Sequence, residues 1–176
     1  MPTINRQKFI EFLARNESAA GFFIAHISKY SNVLDINFID QHSNKFFWDY
    51  LSENESLPWS EALIERYEDK WDWGSLITNE SLPWSETLIE RFADKWSWSY
   101  LSGNSFLPWS EALIERYADK WDWELLSRNS SLPLTEALIE RYQDKWNWSK
   151  LSLYLPSSES LIERFADKWN WKYLSS

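Results

Sequence analysis

Cysteine is absent from this sequence of 176 residues, which excludes disulfide bonds and thiolate metal ligands. Glycine occurs only at Gly21, Gly74 and Gly103, so no glycine-rich loop is available to hold a phosphate group. The 18 Lys and Arg residues are outnumbered by 27 Asp and Glu residues, which gives a net charge of −9. Because a protein that binds the backbone of nucleic acids needs a basic surface, nucleic acid is not the expected partner.

Long apolar runs are also missing from the sequence. No stretch approaches the roughly 18 residues that suggest a membrane-spanning helix. Residues 1–18 mix polar and apolar side chains and lack the charged-then-apolar order of a signal peptide. We therefore expect a cytoplasmic protein without a membrane span.

Tryptophan is abundant, with 14 residues, and it recurs with a period. A Trp-x-Trp triplet repeats at steps of 25, 25, 25 and 23 residues. The triplets are Trp71/Trp73, Trp96/Trp98, Trp121/Trp123, Trp146/Trp148 and Trp169/Trp171. A Leu-Pro-Trp motif keeps the same step at Trp59, Trp84 and Trp109, and becomes Leu-Pro-Leu at Leu134. Self-similarity at such a period predicts a solenoid, a propeller or another array.

Each repeat contains the pattern of a helix after the Leu-Pro motif. In the first full copy, Ser60 can cap the helix, and Trp59 and Ile64 have the spacing of a hydrophobic staple. The apolar residues from Leu63 to Trp71 share one helical face. We predict a helix of about three turns over residues 60–71. The equivalent N-caps are Ser85, Ser110, Thr135 and Ser158.

A second, shorter helix is predicted to begin within each triplet. The residue between the two Trp is a good N-cap in every copy: Asp72, Ser97, Asp122, Asn147 and Asn170. An Asn follows this helix in several copies, and we expect it to end the helix in the left-handed conformation. These residues are Asn54, Asn79, Asn104 and Asn129.

The sequence therefore predicts an all-α fold, a small α-solenoid of helix-turn-helix repeats of about 25 residues with diverged terminal caps. Residues 1–34 are expected to form diverged N-terminal capping helices. Residues 35–176 are expected to form the repeat array. It would contain one degenerate unit capped by Asp35, followed by five units of which the last is shortened.

The charges on the predicted helix suggest how repeats meet. Glu61, Glu65 and Asp69 fall on one flank, and Arg66 and Lys70 fall on the other. Like charges four residues apart are mildly unfavourable within a helix, yet every copy repeats the pattern. This favours pairing of the acidic flank of one helix with the basic flank of the next. Simple solvation of both flanks is the alternative.

The string Trp-x-x-Leu-Ser-x-Asn, followed by a helix that contains Leu-Ile-Glu, resembles short repeats in uncharacterised bacterial proteins. It is also similar to the WxxLSxNPxAI repeats of giant-virus proteins, although this chain has Leu-Pro-Trp where the viral form has Asn-Pro-x-Ala-Ile. The resemblance covers residues 48–176. It implies a helical repeat architecture and carries no activity or site residues.

Two groups of residues are candidates for an interaction surface. Trp59, Trp84 and Trp109 stand at helix entrances, where a partly exposed ring could hold a sugar, a peptide or a methylated cation. Core packing is nevertheless the favoured interpretation of the Trp residues as a set. Repeat proteins keep a core and vary a surface, so positions that differ between copies form the second group. They are Ser75, Tyr100, Leu125, Lys150, Tyr173 and the loop residue Phe106, with neutral variation as the alternative.

No catalytic or metal centre is predicted. The histidines, His26 and His42, lack a nucleophile motif around them, and a metal site that joins them to Asp40 is not expected. Paired carboxylates such as Glu65 and Asp69 recur in each copy, whereas an active site normally occurs once. The Asn-x-Ser strings would accept glycans only in a secreted chain, and helix ends give the same strings. They start at Asn16, Asn54, Asn79, Asn129 and Asn147.

These observations favour a non-enzymatic protein-interaction or scaffold repeat protein that has a protein partner and no cofactor. One alternative is a carbohydrate- or peptide-binding module that uses exposed Trp. The other is a structural protein that self-associates end to end. The acidic balance favours a basic or neutral partner.

Overall fold

The structure is a computed structural model that describes residues 34–153 and 159–174, together with Lys8. Apart from Lys8, residues 1–33, which include Asn16, His26 and nearly all of the predicted N-terminal caps, lie outside the described residues, as does Ser158. The chain divides into two compact units, Met1–Pro83 and Trp84–Ser176. We name the repeats by residue range: leading (34–58), first (59–83), second (84–108), third (109–133), fourth (134–156) and fifth (157–176).

Every element of regular structure in the described residues is a helix, which confirms the predicted all-α repeat fold. Each repeat contains two helices, which we call its first helix and its second helix. In the unit up to Pro83 the helices are Ile36–His42, Trp48–Ser52, Glu61–Arg66 and Trp73–Thr78. In the unit from Trp84 they are Glu86–Arg91, Trp98–Gly103, Glu111–Arg116, Trp123–Leu126, Glu136–Arg141, Trp148–Leu151, Glu159–Arg164 and Trp171–Leu174.

The first helix is shorter than predicted, and turns connect it to the first Trp of the triplet. In the first repeat it spans Glu61–Arg66 and does not reach Trp71. The indole Nε1 of Trp71 donates to the carbonyl of Ile64 at 3.0 Å, and this carbonyl would accept from Glu68 if the helix continued. The Glu68 N–H bonds instead to the carbonyl three residues back at 3.3 Å. The chain therefore reaches the triplet through turns.

The predicted N-caps are confirmed at most described positions. Asp35, Ser60, Ser85, Ser110 and Thr135 each accept from the backbone N–H three residues later. Asp72, Asp122 and Asn147 cap the second helices in the same way. Ser97 occupies the cap position without a side-chain hydrogen bond to the helix.

The Asn residues after the second helix were expected in the left-handed conformation, and this was wrong. No described non-glycine residue has a positive φ, and Asn79 is extended, with φ −80° and ψ 110°. Its amide nitrogen donates to the carbonyls of Ser52 and Asn54 in the preceding repeat at 2.8 and 3.5 Å. Its Oδ1 accepts from the Ser81 N–H at 3.0 Å. Asn79 is buried. Its side-chain hydrogen bonds therefore link two repeats and also shape a turn.

A buried Ser on the second helix links the same elements. Ser102 Oγ donates to the carbonyl of Trp98 at 2.7 Å and accepts from the Asp122 N–H of the third repeat at 2.9 Å. Ser52, Ser127 and Ser152 make the equivalent pair of bonds. Ile77 holds this position in the first repeat, where the hydroxyl is missing.

The core of each repeat consists of Leu and Ile side chains packed on the first Trp of the triplet. In the third repeat, Leu113, Ile114 and Leu126 are fully buried. The first Trp of each triplet was predicted to be buried, and this is confirmed. Trp71, Trp96, Trp121 and Trp146 are 4% to 5% exposed.

Within each unit, consecutive first helices meet as their charges predicted. In the first, third, fourth and fifth repeats, the Arg reaches a carboxylate of the preceding repeat, which confirms the pairing of acidic and basic flanks. The pairs are Arg66–Asp40 at 2.6 Å, Arg116–Glu90 at 3.4 Å, Arg141–Glu115 at 2.8 Å and Arg164–Glu140 at 2.7 Å. Except for the half-buried Asp40, these side chains are solvent-exposed, so each exposed pair contributes only about 0.2–1 kcal/mol and chiefly fixes register.

Candidate interaction surface

In the second, third and fourth repeats, the second Trp of the triplet lies at the junction with the next repeat. The ring of Trp98 lies 4.6 Å from the ring of Tyr117 and 4.8 Å from that of Trp121. Lys120 Nζ lies 4.9 Å from the same ring, within range of a cation–π interaction. The rings of Trp48, Trp123 and Trp148 make equivalent contacts with the next repeat. These rings are half-buried, and their contacts favour a packing role over a binding platform.

The Trp residues at the helix entrances are half-buried, as expected. The ring of Trp59 lies 5.0 Å from that of Trp71, and its Nε1 donates to the carbonyl of Asn54 at 2.8 Å. Trp84 and Trp109 lie 5.3 and 5.1 Å from Trp96 and Trp121. Each ring is therefore held by the first Trp of its own triplet, which favours a packing role over a ligand-binding one.

The positions that vary between copies lie on the second helices. Tyr100 is 69% exposed. Leu125 and Lys150 are partly exposed in the same unit, and Ser75 is partly exposed in the other. Tyr173 belongs to the last helix, but its side chain lies outside the described residues.

Hydrogen bonds from one second helix to the next place the varied positions of the unit from Trp84 in a row. The bonds join Ser99 Oγ to Asp122 Oδ2 at 3.0 Å, Asn147 Nδ2 to the Glu124 carboxylate, and Asn170 Nδ2 to Ser149 Oγ at 3.3 Å. Tyr100, Leu125 and Lys150 each directly follow one of these bonded residues and therefore succeed one another along one edge. We call these three residues, together with Phe106, the edge surface.

Phe106 lies in the loop after the second helix of the second repeat, and its side chain is 43% exposed. Its N–H donates to Asn104 Oδ1 at 2.7 Å, which fixes the turn that carries the ring. Three other repeats have a serine here, at Ser56, Ser81 and Ser131. The second repeat therefore carries two exposed aromatic residues at varied positions.

Two exposed aromatic residues of the leading repeat were missed in the sequence analysis. Tyr50 follows Trp48 by two residues, as Tyr100 follows Trp98, and it is 38% exposed. Its ring lies 6.2 Å from that of Phe47, which is also exposed. The alignment on Trp48 could have identified Tyr50 as a member of the varied positions.

The edge surface carries charges of both signs. Glu124 precedes Leu125, and its hydrogen bond with Arg128, at 2.6 Å, lowers the pKa of its carboxyl group. A second hydrogen bond, from Asn147, acts in the same direction. Glu124 is thus held in its ionised form close to Lys150, and the edge can form hydrogen bonds on either side of its apolar members.

Asp40 and His42, two of the residues considered for chemistry, make structural contacts. Asp40 accepts a hydrogen bond from Tyr67 and pairs with Arg66, which ties two repeats together. His42 packs on Phe38 with ring centroids 4.7 Å apart, and burial lowers its pKa, with the charge of Lys45 acting in the same direction. Within residues 34–153 and 159–174, no group of His, Asp and Glu is arranged to hold a metal ion.

The Asn-x-Ser strings mostly begin at buried residues. Asn54, Asn79 and Asn129 are at most 7% exposed, and Asn147 is a helix cap. The folded repeats therefore do not present the three buried residues as glycan acceptors.

Comparison with protein-family models, curated proteins and solved structures finds no match. The resemblance to WxxLSxN repeats therefore stays a prediction. In the described part of the chain, no helix combines the length and apolar character needed to cross a membrane.

Proposed function

We propose that this protein is a non-enzymatic interaction or scaffold protein whose edge surface binds another protein. The main support is the exposure of Tyr100 and Phe106 at positions that vary between repeats: Ser75, Leu125 and Lys150 correspond to Tyr100, and Ser56, Ser81 and Ser131 correspond to Phe106. Most Trp residues pack against other rings, whereas packing does not require an aromatic side chain at either of these two positions. Aromatic side chains are enriched among the interface residues that contribute most to binding.

The stacking of repeats supports a scaffold role. Ring contacts and hydrogen bonds at every junction of the unit from Trp84 hold neighbouring second helices in a fixed order. A partner that lies across several repeats would gain from Leu125 and Lys150 as well as from the two aromatic anchors. Repeat proteins use such extended surfaces for binding.

The charge of the chain supports a basic or neutral partner. The net charge is −9, and complementary charges accelerate association and disfavour wrong partners. Association should weaken as salt concentration rises, because exposed charges are screened. We also propose that the protein acts in the cytoplasm.

The test compares the full chain with a double variant, Tyr100→Ala/Phe106→Ala. Partners captured from host extract on the immobilised chain are purified, and their affinities are measured by titration. We expect the double variant to bind at least about tenfold more weakly, since each lost anchor residue typically costs over about 1 kcal/mol. Leu153→Ala is the matched control, because Leu153 is also an exposed apolar residue at 48% but lies outside the edge surface. Equal affinity of the double variant and the wild type would remove this surface from consideration.

A further inference from the structure

The leading repeat carries two exposed aromatic rings that stand at a wide angle to each other. The centroids of Phe47 and Tyr50 lie 6.2 Å apart, and the ring planes make an angle of 72°. Phe47 is 43% exposed and Tyr50 is 38% exposed. They are three residues apart at the start of the helix Trp48–Ser52, so both lie on one face of it. Within the described residues, neither ring lies against a third ring or a cation. We call Phe47 and Tyr50 the aromatic corner.

Elsewhere the same chain holds an ammonium group against two rings at once. Lys120 Nζ lies 4.9 Å from the centroid of Trp98 and 5.8 Å from that of Tyr117. Lys70 and Lys168 are placed in the same way on the ring pairs Trp48/Tyr67 and Trp148/Phe165. A cation within about 6 Å of a ring centroid is attracted by the ring. The spacing of the aromatic corner leaves room for one cation about 4–5 Å from both centroids.

The lysines at the junctions have hydrogen-bond acceptors as well as rings. Lys145 Nζ lies 5.4 Å from the ring centroid of Trp123 and donates to Asp119 Oδ1 at 3.0 Å and to the carbonyl of Ala118 at 3.1 Å. An ammonium group has three N–H donors, and these bonds replace those that it would make with water. A ring pair without such acceptors is therefore less suited to a plain lysine.

The aromatic corner supplies ring faces and a nearby negative charge, but no acceptor of this kind. Glu53, one turn after Tyr50, already has another interaction. Asp49 is exposed and directly precedes Tyr50, which places it about 100° around the helix from that ring. A carboxylate in this position attracts a cation through space without accepting its hydrogen bonds. The arrangement favours a cation that has no N–H donors.

We propose that the aromatic corner binds the trimethylammonium group of a methylated lysine on another protein. Methylation keeps the positive charge of lysine, and aromatic side chains recognise the methylated group. The headgroup of a choline lipid carries the same cation, but its phosphate would meet the exposed carboxylate of Asp49. A lysine side chain brings no such anion. The site is separate from the edge surface, because it belongs to the unit that ends at Pro83.

The experiment adds the full chain to a short glycine-flanked peptide that carries one trimethyllysine. The N-methyl proton resonance of the peptide is followed by NMR. We expect a saturable upfield shift, because protons above the face of an aromatic ring are shielded by its ring current. A matched peptide has a neutral tert-butyl group in place of the trimethylammonium group and the same shape. It should bind at least about fivefold more weakly, because the attraction between cation and ring is lost.

Matched variants isolate the aromatic corner. Phe47→Leu/Tyr50→Leu keeps apolar side chains and removes both rings, so it should lose the shift. Tyr50→Phe should retain the shift, since the hydroxyl group is not required. Asp49→Asn should weaken binding about twofold. Tyr100→Ala/Phe106→Ala should bind as the wild type does, which separates this site from the edge surface. Circular dichroism of each variant checks that the fold is retained.

Any one of four results would overturn the proposal. The first is the absence of a saturable shift at millimolar concentrations. The second is equal binding of the neutral peptide, which would mean that the charge is not recognised. The third is an equal or larger response to the peptide with unmethylated lysine. The fourth is sedimentation of the chain with phosphatidylcholine vesicles that Phe47→Leu/Tyr50→Leu abolishes, since this would assign the aromatic corner to a lipid headgroup.

Discussion

A tryptophan in this chain takes its role from its place in the repeat. The first Trp of a triplet is buried, and in the first and third repeats its indole N–H donates to a carbonyl of the preceding helix. In the second, third and fourth repeats the second Trp packs against the next repeat, and the Trp of Leu-Pro-Trp packs on the first. Packing needs therefore explain most of the 14 Trp residues without any ligand.

Replacement of Trp121 by Ala should strongly destabilise the protein. Its ring contacts those of Trp98, Trp109 and Tyr117, and its Nε1 donates to the carbonyl of Ile114 at 3.1 Å. Truncation leaves a cavity and an unsatisfied carbonyl, so we expect a loss of about 3–5 kcal/mol in chemical denaturation. Trp171→Ala is the matched control and should cost less than about 1 kcal/mol, because that ring is 55% exposed. Similar losses in both variants would refute the core assignment.

Tyr67 should make stability fall at alkaline pH. Burial, and then its hydrogen bond to Asp40, raise the pKa of Tyr67 from 10.0 to about 12. The folded state holds the phenol proton more tightly than the unfolded chain. The stabilisation is therefore complete below pH 10.0 and is lost as pH rises through about 12.

Tyr67→Phe tests this dependence, since it keeps the ring and removes the hydroxyl. We expect the denaturation midpoint of the wild type to fall more than that of Tyr67→Phe between about pH 9 and about pH 12. The other tyrosines are common to both proteins, so their contributions to the pH dependence of stability cancel in the comparison. An identical decline in the two proteins would show that Tyr67 does not carry the effect.

At the scale of the helix, local sequence signals predicted the residues where helices begin better than the residues where they end. Ser60 and Asp72 cap their helices as predicted, because a cap depends on residues within one turn. The early end at Arg66, which recurs at Arg91 and Arg141, is not signalled by helix periodicity. Sequence reasoning extended the helix to Trp71 because the apolar spacing is the same in a helix and in the turns that replace it.

The Asn position shows tertiary contacts that override a local preference. Asn is the residue that best replaces Gly in the left-handed conformation, which motivated the prediction. The structure uses both ends of the side chain instead. In the third repeat, Asn129 Nδ2 donates to the carbonyls of Ser102 and Asn104 at 3.1 and 3.2 Å, and Oδ1 accepts from the Ser131 N–H. No sequence pattern within one repeat reports those partners in the preceding repeat.

Asn129→Asp separates the two uses of this side chain. Asp keeps an acceptor for the Ser131 N–H but removes the donor and places a carboxylate near two carbonyls. We expect a loss of about 1–3 kcal/mol in chemical denaturation, at least as large as that of Asn129→Ala. Asn44→Asp is the control, because Asn44 is exposed and the next repeat has Asp69 at that position. Wild-type stability in Asn129→Asp would mean that the inter-repeat bonds contribute nothing measurable.

At the scale of the whole molecule, variation between repeats predicted part of the candidate surface. It identified Tyr100 and Phe106, which are exposed, because a position that changes between copies is under no shared packing constraint. It missed Tyr50, because the varied positions were aligned only on the five triplets, and it missed Phe47, which stands where the triplets have a polar N-cap. It also missed the exposure of Trp171, because its counterparts Trp98, Trp123 and Trp148 are half-buried.

The junctions of the unit from Trp84 are chemically interchangeable, and this leads to a test by deletion. Removal of residues 109–133 joins Pro108 to Leu134 and brings the fourth repeat against the second. Trp98 would then meet Tyr142, Trp146 and Lys145 in place of the equivalent Tyr, Trp and Lys of the third repeat. Glu90 would pair with Arg141, and Ser102 would accept from the Asn147 N–H. The new junction therefore retains the ring contacts, the Arg–Glu pair and the Ser bond, but it lacks the Asn129 bonds to the carbonyls of Ser102 and Asn104, because the fourth repeat has Tyr154 at that position.

We expect the shortened chain to fold with the same helical circular dichroism per residue and a smaller free energy of unfolding, because one repeat and one junction are lost. Deletion of residues 109–120 is the control. It removes fewer residues but breaks the period, since Trp121 would follow Pro108 without a first helix. This control should lose cooperative unfolding of the unit. If the two deletions damage the fold equally, the repeats are not interchangeable and the unit behaves as a single globular core.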